Sequence, residues 1–259
     1  MKPRVEAFVI SLPRAKERHA QVAKLQRDCP LTCHVIEAVD GSQLSDQEVA
    51  CVYKKNIHRP QYPFELQRGE IGAFLSHRKA WAAIVERNLD AGLILEDDIE
   101  LEVPGFANSF QLAIENLTLQ SYIQFRVFWG EQHPRKPASM SPTSIVPLGA
   151  TSQLVGREAA RRLLKCTEQF DRPIDTFVQM KWLSQIETHV VSPSYVAEIS
   201  RNLGGTTVRQ KSRSLLSRLH RNLMRPVYRA KLWVYSYWHQ KKLLGTSQEF
   251  TSMSESRAT

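Results

Sequence analysis

The chain has 259 residues, 42% hydrophobic and 24% charged, with a formal net charge of +9; this length supports one large core with an appendage, in an ordinary soluble composition. No apolar stretch approaches the roughly 20 residues that span a bilayer, and the run Ala7-Phe8-Val9-Ile10 is too short for a signal-peptide core, so the chain is expected to stay in the compartment that makes it. The four cysteines, Cys29, Cys33, Cys51 and Cys166, form no Cys-x-x-Cys pair, which excludes a zinc knuckle or disulfide framework and makes reduced thiols the expectation.

In chain order, Val5 to Leu12 reads as a first strand and Arg14 to Arg27 as a helix with apolar positions Ala20, Ala23 and Leu25. Cys33 to Ala38 reads as a second strand ending at the turn Asp40-Gly41. Ser45-x-x-Glu48 has the spacing of a capping box and predicts a short helix. Lys54 to Gln67, with Pro60 and Pro63, reads as a loop. Gly69 to Leu89 then carries Ile71, Phe74, Leu75, Trp81, Ile84 and Val85, the stripe of a buried helix. Leu93-Ile94-Leu95 is a short buried strand, Phe106 to Leu117 a helix, and Tyr122 to Trp129 a strand. The Pro-containing stretch from Glu131 to Pro147 reads as a loop, and Glu158 to Glu168 as a helix. Strands alternating with helices predict an α/β fold with a largely parallel sheet.

The C-terminal part differs in charge. From Ile199 to Gln248 there is no Asp or Glu, while 11 basic residues fall there, leaving 24 basic against 26 acidic elsewhere. Leu215, Leu219 and Leu223 recur every four residues, Pro226 is expected to break or kink the helix, and Trp233, Tyr235, Tyr237 and Trp238 follow. Basic residues beside interfacial aromatics predict a helical extension over residues 209–245 that lies on an anionic membrane surface through residues 209–242. A terminal helix docked on the domain and a single-strand nucleic-acid binder are the alternatives; no nucleic acid is expected. Residues 246–259 are expected to be a disordered tail, and residues 1–208 the catalytic domain.

Chemistry concentrates at Glu96-Asp97-Asp98, directly after the buried strand. Three adjacent carboxylates repel one another, and a divalent cation is the simplest compensation. If extended geometry persists, Glu96 and Asp98 share one face and Asp97 takes the other. Two such oxygens suit Mg2+ or Mn2+, with phosphate completing the shell. The alternative is a solvated acidic turn.

Around this cluster several motifs fall in order. Ile10-Ser11-Leu12-Pro13-Arg14 with Glu17-Arg18 comes first, then Ala38-Val39-Asp40-Gly41. Gly69-Glu70-Ile71-Gly72-Ala73-Phe74-Leu75-Ser76-His77 with Trp81 precedes Leu95-Glu96-Asp97-Asp98. Leu154-Val155-Gly156-Arg157-Glu158-Ala159-Ala160 and Pro173-Ile174-Asp175 close the set. This order resembles glycosyltransferase family 25, the bacterial lipooligosaccharide and lipopolysaccharide galactosyltransferase group related to collagen galactosyltransferases, over roughly residues 5 to 200. The resemblance implies a GT-A-like nucleotide-sugar-binding fold and inverting transfer of galactose or a related sugar from a UDP donor. It also implies a metal role for Glu96-Asp97-Asp98; Asp98 is the first candidate ligand, with Glu96, or else Asp97, acting directly or through water.

The remaining residues keep two readings each. Arg14 would grip the diphosphate or the uracil edge, or be a surface arginine. Asp40 would accept from ribose or base, or shape an Asp-Gly turn. Gly69 and Gly72 permit close backbone approach at a helix start that offers free N–H groups, and Glu70 would serve the same turn or cap the helix. Ser76 and His77 lie one turn on, with His77 placed to contact donor phosphate or sugar. Asp175 is the candidate base or acceptor ligand, or else a helix N-cap, and a carboxylate of the cluster such as Asp97 is the other candidate for the catalytic role. Gln153, Gly156 and Ser11 stand where the family commonly has an aromatic, a serine and an asparagine.

The sequence thus reads as a cytoplasmic, metal-dependent glycosyltransferase, peripheral on the inner face of the bacterial inner membrane, with a lipid-linked oligosaccharide acceptor. A nucleotidyl- or phosphotransferase and a non-catalytic membrane-surface adaptor are the rivals; no Gly-x-x-x-x-Gly-Lys-Ser/Thr loop supports the former.

Overall fold

The computed structural model describes residues 2–128, 136–203 and 222–239. The elements in order are β1 (Val5–Ser11), α1 (His19–Asp28), β2 (Cys33–Glu37), α2 (Asp46–Val52), α3 (Arg68–Glu86), β3 (Ala91–Glu96) and β4 (Ile99–Leu101). Then come α4 (Val103–Glu115), β5 (Ser121–Phe125), β6 (Ser139–Pro142), β7 (Ser152–Gly156) and α5 (Arg157–Cys166). The chain continues through α6 (Ile174–Val178), α7 (Lys181–Ser184), β8 (Glu187–Ser192) and β9 (Val196–Glu198) to a helix over 222–239, here α8.

Seven strands form one sheet in the order β2-β1-β3-β7-β5-β8-β6. β1, β2, β3, β5 and β8 run the same way, and only β7 and β6 are reversed. The sheet is therefore mostly parallel, and β3, which lies inside it, is buried as a continuous apolar run. Period-2 alternation splits each strand between two cores. Phe8, Ile10, Ile94 and Tyr122 point to one, under α3, α5, α6 and α8. Ala7, Val9, Leu93, Leu95 and Phe125 point to the other, under α1 and α4.

Ser45 caps α2 as its spacing predicts: its hydroxyl accepts from Glu48 N at 3.2 Å while Glu48 accepts from Ser45 N at 2.8 Å. In α3 the buried stripe is Ile71, Phe74, Trp81 and Ile84, and Phe74 stacks on Phe170 at 3.9 Å.

Several expectations change. In α1 the inward face is Gln21, Val22 and Leu25, following the buried Arg18, while Ala20 and Ala23 are exposed. A charged residue lies on the inward face because its partner is a buried carboxylate. β5 ends at Phe125, and Phe128 makes only an isolated bridge to Ala197. The stretch read as a loop contains β6, an edge strand where Pro142 is tolerated because its missing N–H falls at the sheet margin. The helix over 222–239 runs through Pro226 rather than ending there; burial of Tyr228 and Leu232 against the core offsets the one lost backbone bond. Residues 209–221 and 240–259, part of the expected extension and tail, lie outside the described residues.

Candidate active site

The carboxyl ends of β1, β2 and β3 lie side by side on one sheet edge, with Ile10 opposite both Ile36 and Glu96. In open α/β sheets this edge is where ligands bind. A cavity of about 140 Å³ opens there, between the chain leaving β1, the turn after β2, the first turns of α3 and Glu96-Asp97-Asp98.

The acidic residues do not stay extended. β3 ends at Glu96 and the chain turns through Asp97 and Asp98, so all three line the same cavity. The turn, rather than a continued strand, brings Asp97 to the side of its neighbours. The cluster also carries its own hydrogen-bond donors. The buried Arg18 guanidinium donates to Asp97 and lies 3.4 Å from Asp98 Oδ2. His77 Nε2 meets Glu96 Oε1 at 3.1 Å.

Compensation is incomplete. Burial, then the Glu96 charge, push the Asp98 carboxyl up to about 7 against the pull of Arg18. Its Oδ1 is buried without a hydrogen-bond partner. An orphaned carboxylate oxygen next to the partly exposed Glu96 suits a hard divalent cation. Among the described residues no group of three or more His, Cys, Asp or Glu gathers to hold an ion, so an ion here would draw the rest of its shell from water or a bound molecule. Under that condition Glu96 and Asp98 fit Mn2+ or Mg2+.

Behind the cluster runs a buried polar chain. Gln153 Nε2 lies 2.9 Å from His77 Nδ1, and its amide oxygen accepts from the Tyr122 hydroxyl. With Nδ1 accepting, the ring proton sits on Nε2 and is donated to Glu96. Tyr122 is fully buried; burial, then the charges of Asp175 and Glu96, push its hydroxyl upward. Gln153 is one of the departures from the family's common pattern, and here it orients His77. At Gly156, another departure, a Cβ would come within 2.6 Å of the carbonyl oxygens of Thr118 and Leu119. The close chain approach excludes a side chain.

Arg14 pairs with Asp40 across the cavity mouth, which pulls the Asp40 carboxyl down to about 2. Asp40 Oδ1 also accepts from Ser42 N at 3.0 Å and from the Ser42 hydroxyl at 2.7 Å, as an Asx-turn residue does. Ser76 lines the cavity but spends its hydroxyl on structure, donating to Gly72 O at 2.7 Å and accepting from Val39 N at 2.8 Å. Gly72 does not line the cavity; a Cβ there would lie 2.6 Å from Val39 O, so the glycine lets α3 pack against the turn after β2. Gly69 faces the cavity. Glu70 accepts from Gln67 N at 2.7 Å, capping α3, and faces a different cavity.

Asp175 also lies in that second cavity. It occupies the first turn of α6 after the N-cap Pro173, accepting from Thr176 N at 2.7 Å and Gly149 N at 3.2 Å. Sequence reasoning assigned no role to Arg18, Gln153 or Tyr122. Arg18 carried one signal, its place one helical turn after Arg14, and Gln153 another, its departure from the family pattern.

A mostly parallel sheet with helices on both faces, and carboxylates gathered at its strand ends, defines a GT-A-like architecture. The family model for glycosyltransferase family 25 (LPS biosynthesis protein) matches residues 4–178, and the chain belongs to that family. Procollagen galactosyltransferase 1 of Danio rerio is 35% identical over 101 residues, 38% of this chain and 17% of that protein. Procollagen galactosyltransferase 1-B of Xenopus laevis is 26% identical over 193 residues, 68% of this chain and 31% of its own. The inactive glycosyltransferase 25 family member 3 of Mus musculus is 31% identical over 122 residues, 46% of this chain and 20% of its own. The chain thus matches less than a third of the length of each of these relatives.

Proposed function

We propose that this protein is a metal-dependent inverting glycosyltransferase that moves galactose from UDP-galactose onto a lipooligosaccharide or lipopolysaccharide acceptor. The observation that carries the reading is the family match together with the orphaned Asp98 oxygen beside Glu96 in a cavity at the strand ends. A divalent ion held by Glu96 and Asp98 would neutralise charge on the diphosphate leaving group.

The chain's own residues do the rest. Arg14, exposed and bound only to Asp40 across the mouth, swings to the diphosphate. The backbone at Gly69 offers the α3 N-terminus to the same anion. His77, fixed by Gln153, holds Glu96 in place. Asp97 is committed to Arg18 and sets the turn of the cluster. Asp175, in the adjoining cavity, takes the acceptor proton.

Outer residues of α8 support a membrane-surface location, which we place on the cytoplasmic side as part of the same proposal. Leu223, Val227, Val234 and Trp238 recur at helical spacing and are exposed, as are Trp233 and Tyr237, which stack on each other at 5.8 Å. No helix among the described residues is long and apolar enough to cross a membrane.

The test is UDP release from a panel of UDP-sugars with and without Mn2+, for wild type and Asp98→Ala. Metal-dependent turnover of one donor, lost in the variant, is expected. Pyrophosphate in place of UDP would move the protein to the nucleotidyltransferases. A non-catalytic reading is favoured by one observation, that Arg18 and His77 already engage the carboxylates, and by the inactive relative; absence of metal-dependent UDP binding would select it.

A further inference from the structure

The larger cavity is not the one at the acidic cluster. A space of about 620 Å³ lies between α8 and the face of the domain formed by the loop before α3 and the chain around α6. Its lining is polarised. Glu70 and Asp175 stand on the domain side, and Arg225 and Arg229 on the helix side, four residues apart and therefore on one face of α8. Among the described residues neither arginine makes a hydrogen bond or an ion pair, although two carboxylates line the same space. Tyr62 and Phe64 form an aromatic wall, with ring centroids 5.4 Å apart, and Tyr228 of α8 meets Tyr62 edge-on at 5.3 Å.

The two cavities adjoin. Gly69 lines one and Glu70 the other, so the first turn of α3 is their common wall. Tyr122 is fully buried, and the charges of Asp175 and Glu96 both act on its hydroxyl.

We infer that this second cavity receives the acceptor, and that the acceptor is a sugar bearing a phosphate, its anion held by Arg225 and Arg229 and its attacking hydroxyl turned to Asp175. The inference rests on the transferase reading above and adds the substrate class and the helix that reads it. Two arginines that pair with no acid among the described residues suit a phosphate, which takes several charge-assisted hydrogen bonds at once. An aromatic wall suits a sugar ring, and carboxylates at the opposite end suit hydroxyls while repelling the anion, which fixes orientation. In the transfer, the acceptor oxygen bonds the anomeric carbon as that carbon's bond to the diphosphate oxygen breaks. The electron pair leaves with the nucleoside diphosphate, and the hydroxyl proton passes to the Asp175 carboxylate. The matched family region ends at residue 178, so the arginine wall comes from outside it.

The test is calorimetric titration of the full chain with glucose 6-phosphate, glucose and inorganic phosphate, for wild type and Arg225→Gln/Arg229→Gln. Both arginines are exposed, so the variant keeps the helix's packing, and circular dichroism checks it. Wild type is expected to bind glucose 6-phosphate at least ten-fold more tightly than either glucose or phosphate, and the variant to lose that preference. Phe64→Ala is expected to bring glucose 6-phosphate down to the level of inorganic phosphate. Equal binding of all three ligands, no binding, or a preference that survives the double variant would overturn the inference. Loss of binding to phosphatidylglycerol vesicles in the variant, with no glucose 6-phosphate binding by wild type, would assign the arginines to a lipid headgroup and overturn it as well. UDP binding by wild type, measured in parallel, separates the two levels. UDP bound without sugar-phosphate preference sinks the acceptor site alone, whereas the preference without UDP binding sinks the transferase reading.

Discussion

Asp98 concentrates the conflict between stability and function. Its carboxyl is pushed up to about 7, mainly by burial and then by Glu96. An acid held above its ordinary value of 3.8 binds its proton more tightly in the folded chain. Its contribution to stability is therefore present below about 3.8 and is lost as pH rises through about 7. Asp98→Asn should raise metal-free unfolding stability at pH 8 by roughly 1–2 kcal/mol, with little change at pH 4; denaturant melts at the two pH values check this. Asp40 has the opposite sign. Arg14 holds it down to about 2, so its contribution is present above about 3.8 and disappears as pH falls through about 2. In Arg14→Ala the Asp40 titration, followed by carboxyl NMR, should move up toward 3.8. The acidic cluster was legible in sequence because an apolar run leads directly into it. Its partners were not: Arg18 is 79 residues from Asp97 and Gln153 is 76 from His77, and only sheet order brings them together.

Between elements, the contact of α3 with the turn after β2 sets the shape of the donor-side cavity. Gly72 lets the helix backbone approach that turn, and Ser76 ties Val39 N to it. Gly72→Ala should push the two apart and cost about 1–3 kcal/mol, seen as a lower melting temperature and weaker UDP binding together. A drop in stability with UDP affinity intact would detach the cavity from this contact. The long periodic elements were legible, because Ile71, Phe74, Trp81 and Ile84 repeat at helical spacing and Leu93 to Leu95 form an unbroken apolar run. β4 and β9 have only three residues each, and pair with one another across a long separation. β7 hid because its inward residues include Ser152 and Gln153, polar side chains with buried partners or surroundings rather than an apolar repeat.

At the scale of the whole molecule, α8 joins the domain through Arg172. That fully buried guanidinium donates to Asp171, to His58 O and Pro60 O, and through Nη1 to the Tyr228 hydroxyl at 2.6 Å. Tyr228→Phe leaves a buried charged donor without its partner and should cost about 1–3 kcal/mol; Tyr228→Leu should cost more. The outer face of the same helix makes a separate prediction. Trp233→Ala/Trp238→Ala should reduce sedimentation with anionic liposomes without lowering the melting temperature, because both side chains are exposed. Unchanged sedimentation would remove α8 from membrane contact. The sequence showed a basic, aromatic terminal segment, but which face turned inward depended on Tyr228 and Leu232 meeting the core, a contact with residues far upstream.

The hydrogen bond from Arg172 to Tyr228 also has a meaning during synthesis. Arg172 belongs to a stretch that leaves the ribosome well before residues 222–239, yet its guanidinium is complete only when Tyr228 arrives. A nascent chain halted upstream of α8 holds a buried cation short of one acceptor and a second cavity short of one wall. Translation order thus makes α8 close this face only after the sheet and Arg172 are already made, and a chain halted before α8 would present an open, under-neutralised face to the cell's quality control.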